Sequence, residues 1–317
     1  MARTRALLER HGLAPRRRDG QNFVVDPNTV RKVVRDAHVS PGELVLEVGP
    51  GLGALTVALR EAGARVAAIE LDGGLVRALR EVLGDDPGVT LVHDDALRAD
   101  LHALLARAAA PAEQAGEPAR GPAGDHAGGP EGRDVPAAAL VANLPYDAAT
   151  PIVLRCLRAG VIGRAHVMVQ REVGERWVAG VGDPAYGAVS VKVAALASAR
   201  LAARVSRQAF WPVPRVDSVT VSLQGRPWPH DVDREAVLAL VEQGFAARRK
   251  RLANALVGAG WDRAHVDAAL RHAGLPADVR AERLDLPAWV ALTQALGPGL
   301  GSPSSRSSMR GTRPCDR

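Results

Sequence analysis

The chain has 317 residues, 47% of them hydrophobic and 24% charged, which is ample for a buried core and suggests two domains. No apolar run is long enough to span a membrane, and the N-terminus lacks the apolar stretch of a secretory signal. The net charge is +6, aromatics are only 3%, and Cys156 and Cys315 are the only cysteines, which excludes a disulfide framework or a zinc site and fits a reducing cytoplasm.

Residues 1–18 hold six arginines against one acid, Glu9. The run reads equally well as a frayed, solvated terminus or as a basic arm, over 1–20, for a phosphate backbone. From Leu44 short apolar runs alternate with helical stretches. The strands are expected at Leu44–Gly49, Arg65–Glu70, Val89–His93, Ala139–Asn143 and His166–Gln170. Helices are expected over Leu52–Glu61 and Leu75–Leu83. Strands apolar throughout and separated by helices predict a parallel sheet covered on both faces, an α/β fold. Two further strand signals, Ala202–Val205 and Ser218–Leu223, would close the sheet edge. Ala188–Ser198 carries valines at strand spacing and alanines that allow helix, so it is ambiguous.

Ala106–Asp134 holds no Val, Ile, Leu, Met or aromatic residue. Such a stretch buries too little surface to offset its ordering entropy, so it reads as a flexible insertion. The tail over 297–317 has the same character. From Asp231 only helical periodicity remains, at Arg234–Ala246, Arg248–Val257, His265–Ala273 and Pro287–Leu296. The predicted division is an α/β domain over 21–228 and a small helical domain over 229–296.

The segment Glu47-Val-Gly-Pro-Gly-Leu-Gly-Ala54 follows the first strand and opens a helix. Its glycines let the backbone pass close to a ligand, and Gly49, Gly51 and Ala54 also satisfy the dinucleotide fingerprint. Glu70 ends the second strand, where a carboxylate accepts ribose hydroxyls, and Asp95 ends the third, within reach of an adenine amino group. Glu47 would face a pyrophosphate unfavourably. It suits the ammonium and sulfonium of S-adenosylmethionine, so the charge sign favours that cofactor over a nicotinamide dinucleotide. Each acid alone is a polar strand end. Three at successive strand ends point to a site.

Asn143-Leu-Pro-Tyr146 ends the fourth strand. An exocyclic adenine amine has its lone pair delocalised into the ring, and two acceptors on its hydrogens release that pair. The Asn143 side-chain oxygen and the Leu144 carbonyl supply two acceptors. Pro145 fixes the backbone, and Tyr146 offers a stacking face worth about 1–3 kcal/mol.

On these residues the chain resembles the ribosomal RNA adenine N6-dimethyltransferases that act on small-subunit rRNA. The resemblance runs from Arg18 to Leu296, outside the Ala/Pro/Gly insertion. It is carried by Gln21–Asp26, Glu47–Gly53, Glu70–Asp72, Asp95-Ala96, Asn143–Tyr146, Val169–Val173, Ala185–Gly187, Phe210–Ser218 and Phe245–Asn254. It implies a Rossmann-like S-adenosylmethionine-dependent methyltransferase sheet with a C-terminal all-helical domain, working as a monomer without metal. Two methyl groups would go to each of two adjacent adenines in a hairpin near the 3′ end of 16S rRNA, during ribosome biogenesis.

By the same resemblance Asn22, Val24, Gly49, Gly51, Glu70, Asp95 and Asn143 would hold the cofactor. Phe210 would wall the base pocket opposite Tyr146, and Arg248, Arg249, Lys250 and Arg251 would face rRNA. Asp147 stands where the family has Asn, which adds negative charge at the pocket mouth, and Val24 replaces a commoner Leu. A large-subunit 23S rRNA methyltransferase of the macrolide-resistance type shares the fold and cofactor. A non-catalytic RNA-binding assembly factor is the alternative of another class.

Overall fold

A computed structural model of the protein describes residues 2–15, 21–110, 137–247 and 250–297. Two compact units emerge, Met1–Gly174 with Ala197–Gly225, and Glu175–Leu196 with Arg226–Arg317. The chain therefore passes between the units three times, where the sequence predicts a single boundary near 228.

The first unit begins with helix α1 (Ala2–Arg10), strand β1 (Phe23–Val24) and α2 (Pro27–Asp36). Then come β2 (Leu44–Val48), α3 (Ala54–Glu61), β3 (Arg65–Glu70), α4 (Gly73–Leu83), β4 (Val89–His93), α5 (Leu101–Ala109), β5 (Ala138–Asn143), α6 (Ala149–Arg158) and β6 (Ile162–Gln170). The next helices are α7 (Arg171–Val178) and α8 (Ala188–Leu196). The chain returns to the sheet unit through β7 (Ala197–Val205), β8 (Phe210–Trp211) and β9 (Ser218–Gly225). Helices α9 (Arg234–Phe245), α10 (Leu252–Gly258), α11 (Arg263–His272) and α12 (Leu286–Leu296) complete the second unit.

Seven strands form one sheet in the order β4-β3-β2-β5-β6-β9-β7. The first five run parallel, and β9 is antiparallel to both β6 and β7. The order reverses between β2 and β5, so a crevice opens there at the carboxyl ends of the strands. Val45, Leu46, Val66, Ala67, Leu140 and Val141 are fully buried, as strands covered on both faces require. Edge strand β4 is only partly buried.

Aspartate starts six of the helices. Asp26, Asp72, Asp100, Asp233, Asp262 and Asp285 cap α2, α4, α5, α9, α11 and α12, each accepting from backbone N–H groups of the first turn. Helix α3 differs. Its cap is Gly53, which offers no side chain.

Two expectations need correction, and one ambiguity is resolved. Residues 106–109, assigned to the insertion, close helix α5, because Leu104 and Leu105 are buried and alanine extends a helix at no propensity cost. The rest of that stretch, 111–134, and the tail from 298 lie outside the described residues, as do 16–20 of the basic arm. Residues 2–10 of the arm are not frayed but helical, with Leu7 and Leu8 buried while Arg5, Glu9 and Arg10 stay exposed. Leu7 and Leu8 are 7% and 2% exposed, Arg10 and His11 pair with Glu81, and Arg5 lies 5.2 Å over the Trp211 ring. The ambiguous stretch resolves as helix through Leu196 and strand from Ala197.

The second unit has its own core of Tyr186, Val191, Leu240, Val241, Leu252, Leu256 and Trp289. Tyr186 and Val191 explain why Glu175–Leu196 belongs with it. The Phe245 ring meets Tyr186 edge-on at 6.4 Å and lies 5.9 Å from Trp289, while the Tyr186 hydroxyl donates to the Leu284 carbonyl at 2.6 Å. The scarce aromatics are thus spent largely on this small helical core, where each buries much area.

Candidate active site

At the carboxyl end of β2 the chain enters the glycine loop, and Gly49, Gly51 and Gly53 all take positive φ. At Gly51 a Cβ would stand 3.1 Å from the Phe23 ring, and at Gly53 only 2.5 Å from Leu79 Cδ1. Both positions need glycine, for the backbone angle and for the space. The loop borders a cavity of about 610 Å³, within the range of small-molecule sites.

Ten expected site residues line this cavity: Asn22, Val24, Gly49, Gly51, Glu70, Asp95, Asn143, Leu144, Pro145 and Tyr146. Its lining carries seven carboxylates, Asp26, Glu47, Glu61, Glu70, Asp72, Asp94 and Asp95, against one cation, Arg31. A cavity so charged favours a cationic ligand and repels a pyrophosphate.

Glu47 is 1% exposed, and its Oε2 has no hydrogen-bond partner. Burial pushes its carboxyl up to about 8 against the opposing pull of the Thr56 hydroxyl, and the neighbouring Glu70 charge adds to the rise. Glu70 accepts from Gly51 N–H and Asp72 N–H, both at 3.0 Å, so the acid at the end of β3 also fixes the glycine loop. Burial raises its carboxyl too, against those bonds. Asp95 is more open and accepts from Leu97 N–H at 2.8 Å.

The turn after β5 supplies the other wall. Asn143 Nδ2 donates to the Asn22 carbonyl at 3.0 Å, while its Oδ1 is buried without a partner. An unpaired buried acceptor costs about 1–3 kcal/mol, and it is retained where a ligand donor completes it. Leu144 is 1% exposed and its N–H donates to the Met168 carbonyl at 3.1 Å, which seats the turn against β6. Tyr146 is half-buried, with its hydroxyl 2.9 Å from Ser218 Oγ. Burial raises its phenol, so it stays neutral.

The expected second aromatic wall is not in place. Phe210 is fully buried within the core that contains Val24, Val30 and Met168, and it does not line the cavity. The cause is a small antiparallel pairing that periodicity does not reveal: β1 pairs with β8, matching Val24 to Phe210 and Phe23 to Trp211. The ring that does reach the cavity is Phe23. Thr4 and Leu7 of α1, on the same lining, also escape sequence reasoning, for the arm reads by charge rather than by its Leu7-Leu8 pair.

The described half of the basic run, Lys250 and Arg251, does not begin a helix. Arg251 is the extended N-cap of α10, which starts at Leu252, and Lys250 lies just before it. Both are exposed. Arg248 and Arg249 lie outside the described residues. Among the described residues there is no cluster that could hold a metal ion, and no helix is long and apolar enough to cross a membrane.

A doubly wound sheet with an acid-lined cavity at its switch point, closed by an Asn-Leu-Pro-Tyr turn, defines a Rossmann-like methyltransferase. The family model for ribosomal RNA adenine dimethylase matches residues 12–295, and the chain belongs to that family. Ribosomal RNA small subunit methyltransferase A of Leifsonia xyli is 42% identical over 92% of this chain and 96% of its own length. That of Thermobifida fusca is 42% identical over 90% of this chain and 91% of its own. Among solved structures, the 23S rRNA methyltransferase ErmE superposes with a TM-score of 0.58 at 27% identity, covering 87% of this chain and 99% of that one. A dimethyladenosine transferase from Plasmodium falciparum gives 0.63 at 20% identity over 85% and 95%, a likeness of fold.

Proposed function

We propose that this enzyme transfers methyl groups from S-adenosylmethionine to N6 of two adjacent adenines, two to each, in a hairpin near the 3′ end of small-subunit rRNA. The observation that carries the proposal is the buried, unpartnered Asn143 Oδ1 on the wall of an acid-lined cavity, beside Tyr146. Relatives whose names specify the small subunit reach 43% identity, against 27% for the large-subunit ErmE, which supports the small-subunit substrate. The intact acids and turn favour an enzyme over a purely binding factor.

When bound, S-adenosylmethionine supplies an electrophilic methyl on a sulfonium. The chain's own groups then position. Glu47 would face the ligand's positive charge, Glu70 would accept from its ribose hydroxyls with lone pairs left by Gly51 and Asp72, and Asp95 would accept from its adenine amino group. Gly49 and Gly51 let the backbone approach. Asn143 Oδ1 and the Leu144 carbonyl accept from the two hydrogens of the target amine. Tyr146 stacks on the target base. The amine loses its proton after attack, so no strong base is needed, and the acceleration comes mainly from orientation.

The target adenine leaves the RNA stack to enter the pocket, while Lys250 and Arg251, with Arg248 and Arg249, contact rRNA phosphates. The enzyme works as a cytoplasmic monomer in ribosome biogenesis.

Asn143→Ala tests the reading. Labelled methyl transfer to undermethylated small subunits should fall at least about a hundredfold, the scale of removing one positioned transition-state contact, about 2.7 kcal/mol or more. The melting curve and subunit binding should persist. Full activity would overturn the amine contact.

A further inference from the structure

Outside the cavity, two arginines and an acid meet where β6 ends and β9 begins. Arg171 directly follows the last residue of β6, and its N–H donates to the Asp217 carbonyl at 2.9 Å. Asp217 directly precedes β9. Its Oδ2 lies 3.8 Å from Arg171 Nη1 and its Oδ1 3.4 Å from Arg207 Nε. The three side chains are 50%, 51% and 55% exposed for Arg171, Arg207 and Asp217. Arg215, also exposed, stands two residues before Asp217, and its carbonyl accepts from Arg207 Nη1 at 3.4 Å.

Ion pairs this long and this wet contribute little to stability, so stability does not account for the arrangement. Its position does suggest a use. Ser218, the residue after Asp217, holds the hydroxyl of Tyr146, the aromatic wall of the cavity. The charge balance also changes here. The cavity lining carries seven acids to one arginine, whereas Arg171 and Arg207 flank the carboxylate of Asp217, with Arg215 beside them. An RNA strand that inserts a base past Tyr146 must leave its backbone phosphates outside, at the rim.

We infer that Arg171 and Arg207, with Arg215 beside them, grip the RNA phosphates that flank the adenine in the pocket, and that Asp217 holds the two guanidinium groups side by side. The inference rests on the RNA-methylating function proposed above. Guanidinium forks match phosphate oxygens bidentately, and this contact would position the strand without reading its sequence.

The test measures binding of the full-length protein to undermethylated small subunits as salt rises from about 50 to 200 mM. In Arg171→Gln/Arg207→Gln, affinity at low salt should fall about tenfold. The log–log salt slope should shrink by about 1.4–1.8 for two lost phosphate contacts. Binding of S-adenosylmethionine and the melting temperature should stay at wild-type values, and the double Lys variant should recover most of the slope. Wild-type affinity and slope in the Gln variant would overturn the rim while leaving the function intact. No binding of small subunits by the wild type would overturn both. If the double Gln variant unfolds, Arg207→Gln alone decides. A salt slope smaller by about 0.7–0.9 supports the rim, and an unchanged slope overturns it.

Discussion

Glu47 should make cofactor binding depend on pH. Its carboxyl sits at about 8 because it is buried, and its Oε2 has no hydrogen-bond partner. A ligand that needs the carboxylate must first expel its proton, at a cost of about 1.4 kcal/mol for each pH unit below that value. Half the sites are ionised at about pH 8 and roughly one in a hundred at about pH 6, so affinity should fall about fiftyfold between them. Glu70, the charged neighbour that faces Glu47, is itself raised by burial and acts in the same direction. Calorimetry of S-adenosylmethionine binding in buffers of different ionisation enthalpy should show nearly one proton released per ligand near about pH 6, and almost none above about pH 9. Glu47→Gln should bind weakly with a flat profile. The stability sign is opposite to that of an ion-paired acid. The folded protein holds a proton that the unfolded chain has lost between pH 4.5 and about 8, so this group costs stability as pH rises through that window. Affinity unchanged between about pH 6 and 8, with heats independent of buffer, would refute the reasoning.

Tyr146→Phe removes only the bond to Ser218, so methyl transfer should drop less than about tenfold, whereas Tyr146→Ala should lose about 1–3 kcal/mol of base stacking in kcat/KM for rRNA. Gly53→Ala places a Cβ 2.5 Å from Leu79 Cδ1 at a φ of +81°, and should destabilise by about 2–4 kcal/mol in denaturant unfolding. In the helical unit, Trp289→Ala empties a fully buried site and should cost about 3–5 kcal/mol, read as an earlier unfolding transition.

The sheet is legible in the sequence because its strands are buried on both faces and carry no polar alternation, as Val45, Leu46 and Leu140 show. The acidic wall of the cavity is legible because Glu47, Glu70 and Asp95 fall at the ends of successive strands, where the topology gathers them. The two-residue strands β1 and β8 are not. They are too short for any period, and their partners lie far apart in the chain, yet their pairing buries Phe210 and puts Phe23 at the cavity. The domain division escapes for a related reason. Tyr186 and Val191 join the helical core through contacts distant in sequence, while local periodicity at Ala188–Ser198 is ambiguous. Arginines dominate the composition of the N-terminal arm, but Leu7 and Leu8 decide its placement.

The central claim is that the cavity beside Asn143 methylates adenine N6 in small-subunit rRNA. Undermethylated small subunits and large-subunit RNA, each incubated with the protein and labelled S-adenosylmethionine, then mapped for modified positions by primer extension and digested to nucleosides, test it most directly. Label in N6,N6-dimethyladenosine from two adjacent adenines of the small subunit, and none from large-subunit RNA, is the predicted result. Label confined to large-subunit RNA, in another nucleoside, or absent altogether would contradict it.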